Sequence, residues 1–266
     1  MPMKAKLYDI DGKHAGEVEL PALFSSEIRT DVIKRAVLAQ QSAARQRYGT
    51  DPLAGKRTSA HYHGSRHYRY SMMNKETSRM PRIHGRVGYL AMTARFAPHA
   101  VKGRRAHPPK AEKLWTQKIN RKEKILAIRS ALAASANHEY VSSRHRAKES
   151  PIIFSDDFEN VRKTKDVVAA LAKIIPQELE RCGKTKVRAG KGKMRNRKYR
   201  RKVGPLVVTS RSCALVKSAR NIAGVDAVSV ANINAELLAP GTQPGRVIVA
   251  TKSALGIMQK RFGDRL

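Results

Sequence analysis

Residues 203–258 read VGPLVVTSRSCALVKSARNIAGVDAVSVANINAELLAPGTQPGRVIVATKSALGIM. Three short apolar runs, 206–208, 227–230 and 247–249, each precede a stretch of helical spacing. The helices predicted are 214–219, 235–238, and a last one capped by Ser253 and running through Phe262. Apolar runs this short and rich in Val and Ile predict strands buried on both faces. Strands alternating with helices predict parallel pairing, because a parallel partner is reached only through a crossover. The same pattern continues upstream. Ile152-Ile153-Phe154 is a short buried strand, and Thr164 starts a helix through Val167, Val168, Leu171 and Ile174 that stops near Pro176. Asn120 with Glu123 has capping-box spacing ahead of Ile125, Ile128, Leu132 and Ala136. Ser25 or Ser26 with Glu27 predicts another helix start, with Ile28, Val32, Ala36, Ala39 and Ala43 on one face. Residues 3–8 and 17–20 flank Asp11-Gly12, a hairpin signal. The predicted fold class is α/β: three layers, a mostly parallel sheet with helices on both faces, plus a long basic extended loop. Residues 1–266 form one α/β domain, with a loop at 46–112 inserted in it and a basic segment at 184–202.

Charge sets these two segments apart. The 266-residue chain carries 54 Lys and Arg against 21 Asp and Glu, a formal net charge of +33. Residues 45–113 hold 16 of the cations and three acids, with six of the nine histidines, five prolines and six glycines. Residues 184–202 hold 11 cations and no acid. The remaining 178 residues net only +9, an ordinary globular balance. An excess of +33 repels itself unless a polyanion offsets it, and nucleic acid fits best. Hydrophobic residues are 41% of the chain, enough for a core and too many for a disordered tail. No run approaches the roughly 18 apolar residues of a membrane span. The opening MPMKAKLYDIDGK has no apolar h-region and predicts no secretory signal. Two cysteines, Cys182 and Cys213, fit a reducing cytoplasm rather than a disulfide scaffold.

From about 46 to 116 no helical or strand period persists, and Gly49, Gly55, Gly64, Gly85, Gly88, Gly103 and Pro108-Pro109 break every candidate element. A structureless loop of this length is improbable inside a compact domain, so it is either disordered or ordered by a partner. Tyr48, Tyr62, Tyr68, Tyr70, Tyr89 and Phe96 lie among its cations. Flat rings among positive charges suit stacking on unpaired bases and pairing with phosphates. The run KTKVRAGKGKMRNRKYRRK (184–202) offers Arg forks for phosphate oxygens and Lys point charges. It has neither G-x-x-x-x-G-K-S/T nor G-x-G-x-x-G after a strand, so no nucleotide loop is expected.

Other constellations are weaker. His61, His63 and His67 are close in sequence, but no cysteine lies within 100 residues to complete a four-ligand zinc site, and no metal or cofactor is expected. Asp156-Asp157 with His145 suggests a catalytic set, yet an acidic pair before a helix is commonly a solvated cap. Ser253 sits in no G-x-S-x-G elbow, and neither cysteine is paired with a base. An RNA-modifying or RNA-cleaving enzyme with a basic lid loop is the alternative function. It requires convergent acidic, His or cofactor-binding residues at strand ends, which the sequence does not display. A membrane-surface protein requires a basic amphipathic helix, and the basic segments are broken by Gly and Pro.

The strings GRRAHPPKAEK (103–113), SALAASA (130–136), RAGKGKMRNRKYRRKVGPL (188–206), SARNIAGVDAVSV (218–230), ELLAPG (236–241) and PGRVIVATKSAL (244–255) resemble large-subunit ribosomal protein four, the universal L-four family. The match is to the archaeal and eukaryotic branch; the chain ends soon after its last helix, as the archaeal type does. The resemblance implies a structural, non-enzymatic constituent of the cytoplasmic ribosome that binds large-subunit (23S-type) rRNA early in assembly. It further implies that the long loop helps line the polypeptide exit tunnel, beside ribosomal protein twenty-two and the nascent polypeptide. Carried over position by position, it assigns RNA binding to Lys56, Arg57, Arg104, Arg105, His107 and Lys110 on the loop flanks. In the 188–201 run it assigns Arg188, Lys191, Lys193, Arg195, Asn196, Arg197, Lys198, Arg200 and Arg201. The middle of the loop, about 61–102, departs from the family's Gly/Arg-rich pattern. Its cations Arg66, Arg69, Arg79, Arg82 and Arg86 join the RNA-binding set. The stretch His61, Tyr62, His63, Gly64, Ser65, Arg66 and His67 is the expected tunnel-facing tip, with Arg79 to Arg86 as runner-up.

Overall fold

The computed structural model describes residues 3–84 and 88–263. Chain contacts divide it into two compact units: residues up to 44 together with those from 116 onwards, and residues 45–115.

The first unit is built on a six-stranded sheet. Strand β1 (Lys4–Tyr8) pairs antiparallel with β2 (His14–Glu19) through the Asp11-Gly12 turn. The remaining strands, β3 (Ile152–Phe154), β6 (Leu206–Thr209), β7 (Asp226–Ser229) and β8 (Ile248–Thr251), pair in parallel in the order β2-β1-β3-β8-β6-β7. A separate two-stranded ribbon joins β4 (Thr185–Val187) to β5 (Tyr199–Arg201). Helices fill the crossovers: α1 (Thr30–Ala44), α2 (Arg121–Ala136), α3 (His138–Ser142), α4 (Thr164–Ile174), α5 (Pro176–Gly183), α6 (Ala214–Arg220), α7 (Ala235–Leu238) and α8 (Lys252–Met258).

Alternation along the strands separates two cores. Ile153, Leu206, Val208, Val228, Ile248 and Ala250 point to one face, where α1, α2, α7 and α8 bring Ile33, Val37, Leu132, Leu238 and Leu255. Ile152, Phe154, Val207, Ala227 and Val249 point to the other, against Leu171 of α4, Leu215 of α6 and Phe158. The predicted three layers are therefore present. Each fully buried side chain of this size contributes about 1.5–3 kcal/mol.

Local boundaries differ from the sequence expectation where distant residues intervene. Helix α1 starts at Thr30 rather than near Ser25. Residues 22–25 form a 3₁₀ turn that buries Leu23 and Phe24. Ser130 Oγ, on α2, donates to Glu27 O and accepts from Arg29 N–H, which holds that stretch extended. Asn120 does precede α2, but its side chain caps nothing, and Glu123 pairs with Arg35. Pro176 ends α4 and also opens α5, the position where its missing N–H costs nothing. Helix α8 starts at Lys252, and Ser253 caps nothing; its N–H donates to Asp156 Oδ1 at 2.8 Å. The helix yields after Met258 to a π turn at Gln259–Gly263.

The second unit contains no regular helix or strand among its described residues, as the broken periodicity predicts. It is nonetheless organised by turns and two isolated antiparallel bridges, His61 with Arg82 and Arg82 with Ala94. Met72 and Ala97 are buried in it. Asn74, Glu76, Met92, Phe96 and Lys102 take positive φ, a conformation that interrupts regular elements.

Candidate nucleic-acid interface

In the second unit, the two limbs nearest its ends run side by side. Thr50 N–H donates to Pro109 O at 3.0 Å. Gly55 has φ +74° and Arg104 N lies 2.7 Å from where its Cβ would sit, so no other residue fits. A Cβ on Gly103 would meet Ala97 O at 1.9 Å. The limbs frame a cleft of about 490 Å³ lined in part by Lys56, Lys102, Arg104, Arg105 and Lys110. His107 is exposed close by, in a second cleft with Tyr48 and Trp115. Lys56, Arg105 and Lys110 are exposed, whereas Arg57 pairs with Asp51 and Arg104 is half-buried near the Phe96 ring.

The expected tip does not form an isolated projection. His61 exchanges backbone hydrogen bonds with Arg82, and Met72 N–H donates to His63 O. Tyr62, Gly64, Ser65, Arg66 and His67 are exposed, as are Arg69 and Arg79. Arg82 is turned inward, donating to Met92 O, Ser78 O and Ser78 Oγ. Arg86 lies outside the described residues. The aromatics divide likewise. Tyr48 stacks on Trp115, Tyr68 on His63 and Tyr70 lies against His84, while Tyr62 and Tyr89 present exposed rings. Partial burial lowers the His63 pKa below the ordinary histidine value, with His61 and His84 acting in the same direction.

The 188–201 run folds as a hairpin in the first unit. Lys186 pairs with Arg200 and Val187 with Tyr199, and Arg188 N–H donates to Lys198 O at 2.8 Å. A 3₁₀ turn at Lys191–Arg195 closes it, with Asn196 left-handed at φ 58°. Asn196 therefore serves the turn as well as the polar surface. Lys191, Lys193, Arg195, Arg197, Lys198, Arg200 and Arg201 are all exposed, and Arg188 is half-buried with Nε on Arg197 O. The run itself contains no acid to offset these charges.

The hairpin adjoins a cleft of about 670 Å³ whose lining includes Arg144, Arg146, Lys186, Arg200, Arg201 and Lys202. Burial lowers the pKa of Arg144, and the positive fields of Arg246 and Arg181 act in the same direction. The cations that line the cleft favour an anion there. Beneath it lies a polar hub that the sequence did not reveal. Glu178, fully buried, accepts from His145 Nδ1 at 2.6 Å, Arg146 N–H at 2.9 Å and Arg181 Nε at 2.8 Å. Burial alone raises its pKa, but these donors outweigh burial and hold the carboxyl at about 2. Arg181 also donates to Val203 O, fastening the chain that leaves the hairpin. His145 thus belongs with Glu178 and not with Asp156, which caps α8. Arg246 is a second hidden cation, 1% exposed, donating to Gly204 O, Leu237 O and Asp226 Oδ2.

Open α/β sheets place ligands at the carboxyl ends of their parallel strands, and here Glu159 sits at the ends of β6 and β8. Glu159, 8% exposed, accepts from Thr251 Oγ1, Ser210 N–H and Ser210 Oγ, each at 2.7 Å. Ser210 follows β6 and Thr251 ends β8, so Glu159 ties the ends of these two strands together.

Comparison with known proteins identifies the family. The chain matches the ribosomal protein L4/L1 family over residues 18–261. It is 45% identical over 267 residues to "Large ribosomal subunit protein uL4" of Methanosphaera stadtmanae, covering 98% of this chain and 96% of that protein. The protein of the same name from Nanoarchaeum equitans is 44% identical, covering 97% of this chain and 98% of its own length. That of Haloarcula marismortui is 42% identical, with 97% and 100% covered. An α/β body, two basic surfaces and near full-length similarity to these archaeal proteins place the chain in the ribosomal protein L4/L1 family.

Proposed function

We propose that this chain is a structural constituent of the large ribosomal subunit, cytoplasmic with the ribosome, that binds large-subunit rRNA early in assembly. The observation that carries this reading is the 185–201 hairpin, whose cations are exposed, mutually unshielded and set beside a basic cleft. Arg188, Lys191, Lys193, Arg195, Arg197, Lys198, Arg200 and Arg201 contact phosphates. Lys56, Arg105, His107 and Lys110 do the same from the limbs of the second unit, with Arg57 and Arg104 on their flanks. Arg66, Arg69 and Arg79 extend the surface, and Tyr62 and Tyr89 stack on unpaired bases. The 46–112 segment threads folded RNA and helps line the exit tunnel through 61–67, beside ribosomal protein twenty-two and the nascent polypeptide.

Against the alternative, an enzyme acting on RNA, Glu159 at the ends of β6 and β8 is engaged by Ser210 and Thr251, and the relatives carry the name of a ribosomal protein. The test is binding of the full chain to large-subunit rRNA across salt concentrations. With six or more phosphate contacts, affinity should fall about 10³–10⁵-fold between 50 and 200 mM salt. A nearly flat dependence would overturn the phosphate account.

A further inference from the structure

Three histidines from separate parts of the second unit converge. The ring centroids of His61 and His63 lie 4.1 Å apart, those of His61 and His84 4.4 Å, and those of His63 and His84 4.7 Å. One nitrogen from each lies within 4.8 Å of the others. The bridge between His61 and Arg82 joins the two segments and leaves 84 diagonal to 61 across it. His63 joins them through its ring and not through a continued ladder. His67, close to His61 and His63 in sequence, is not in the group.

The surroundings have the form of a ligand shell. His61 Nδ1 lies 2.9 Å from Ser59 O; donating there fixes the tautomer and leaves the Nε2 lone pair available. Tyr68 stacks on His63 at 5.1 Å and Tyr70 lies 4.9 Å from His84, limiting ring rotation. Both nitrogens of His84 are buried without a hydrogen-bond partner among the described residues. Among the described residues no hydrogen bond replaces the solvation lost there, a deficit a coordinate bond removes.

We propose that His61, His63 and His84 bind one Zn²⁺ ion, with an exogenous oxygen donor in the fourth position. Three imidazoles and no carboxylate select a borderline-soft transition ion over Mg²⁺ or Ca²⁺. Tetrahedral coordination with Zn–N of about 2.0–2.1 Å requires the three nitrogens to draw together to roughly 3.4 Å, a shift that ring rotation supplies. The ion would cross-link His63 to His84, closing the 20 residues between them without any regular element. It would thus order the middle of the basic unit before RNA reaches it.

The test uses the full chain and Co²⁺ as a spectroscopic stand-in, competed by Zn²⁺. One equivalent of Co²⁺ should give the visible absorption of a four-coordinate ion, bleached by one equivalent of Zn²⁺. His84→Ala should weaken binding more than tenfold, while His67→Ala and His107→Ala leave it unchanged. His84→Cys should restore binding and add a near-ultraviolet sulfur-to-cobalt band, which shows that loss in the alanine variant is not misfolding. Absence of a four-coordinate spectrum, its persistence in His84→Ala, or equal weakening by His67→Ala would overturn the proposal.

Discussion

Replacing Glu178 by glutamine removes one charge from behind the basic cleft and hardly alters its shape. The cost can be worked two ways. Glu178 has its carboxyl pKa held at about 2 against an ordinary 4.5, equivalent to about 3 kcal/mol of stabilisation of the charged form. Independently, breaking a buried ion pair costs about 3–5 kcal/mol, because the abandoned partner stays desolvated. Here that partner is Arg181, which also holds Val203 O. The amide keeps one acceptor oxygen but turns its N–H groups towards donors that the other carboxylate oxygen satisfies. The expected loss at pH 7 is about 3 kcal/mol, a fall in Tm of roughly 6–12 °C for a unit of this size. The dependence on pH has a fixed sign. A depressed folded pKa gives stability that is full above the unfolded value and lost as pH falls through the folded one. The difference between wild type and Glu178→Gln should therefore be constant above about pH 5.5 and shrink steadily towards pH 2. Thermal unfolding of both proteins at several pH values measures it. Equal Tm at pH 7, or a difference that persists undiminished at pH 2.5, would refute the assignment of Glu178 as the charged centre of the hub.

Other consequences are as direct. Arg246→Met leaves Gly204 O, Leu237 O and Asp226 short of their shared donor and should lower Tm by about 10 °C, read by calorimetry. Gly103→Ala forces a Cβ into Ala97 O; protease cleavage within 45–115 should accelerate roughly tenfold while unfolding of the α/β unit is unchanged. Changing Lys191, Lys193, Lys198 and Arg200 together to glutamine should leave Tm within about 1 °C, since all four are exposed. The same variant should reduce the salt slope of rRNA binding by about 3, and an unchanged slope would remove the hairpin from the interface.

What the sequence made legible follows from range. Leu206 to Val208 and Val247 to Val249 are continuous apolar runs, and the burial of both faces that this pattern implies is what the two cores display. The basic hairpin was legible as charge because the cations are adjacent. Its strands were not, since three residues on either side carry no apolar alternation. Ser25 and Ser253 have the chemistry of caps, yet each was overridden by a partner about a hundred residues away or more: Ser130 near the first, Asp156 at the second. Glu178, Glu159 and Arg246 are charged residues that become buried, and hydropathy assigns such residues to the surface. His84 escaped notice for a similar reason. Its neighbours in space are 21 and 23 positions away, and no period links them.

The central claim is that folded large-subunit RNA is the polyanion for which this charge exists. Its most direct test is sedimentation of ribosomal subunits from cells, followed by a high-salt wash and immunodetection of the chain. Contacts to bare RNA are salt-sensitive, but RNA folded around the 46–112 segment must open before the protein leaves. The chain should therefore co-sediment with the large subunit at one copy per particle and stay with it through the wash. Recovery in the free protein fraction, with the small subunit, or in the wash would contradict the claim.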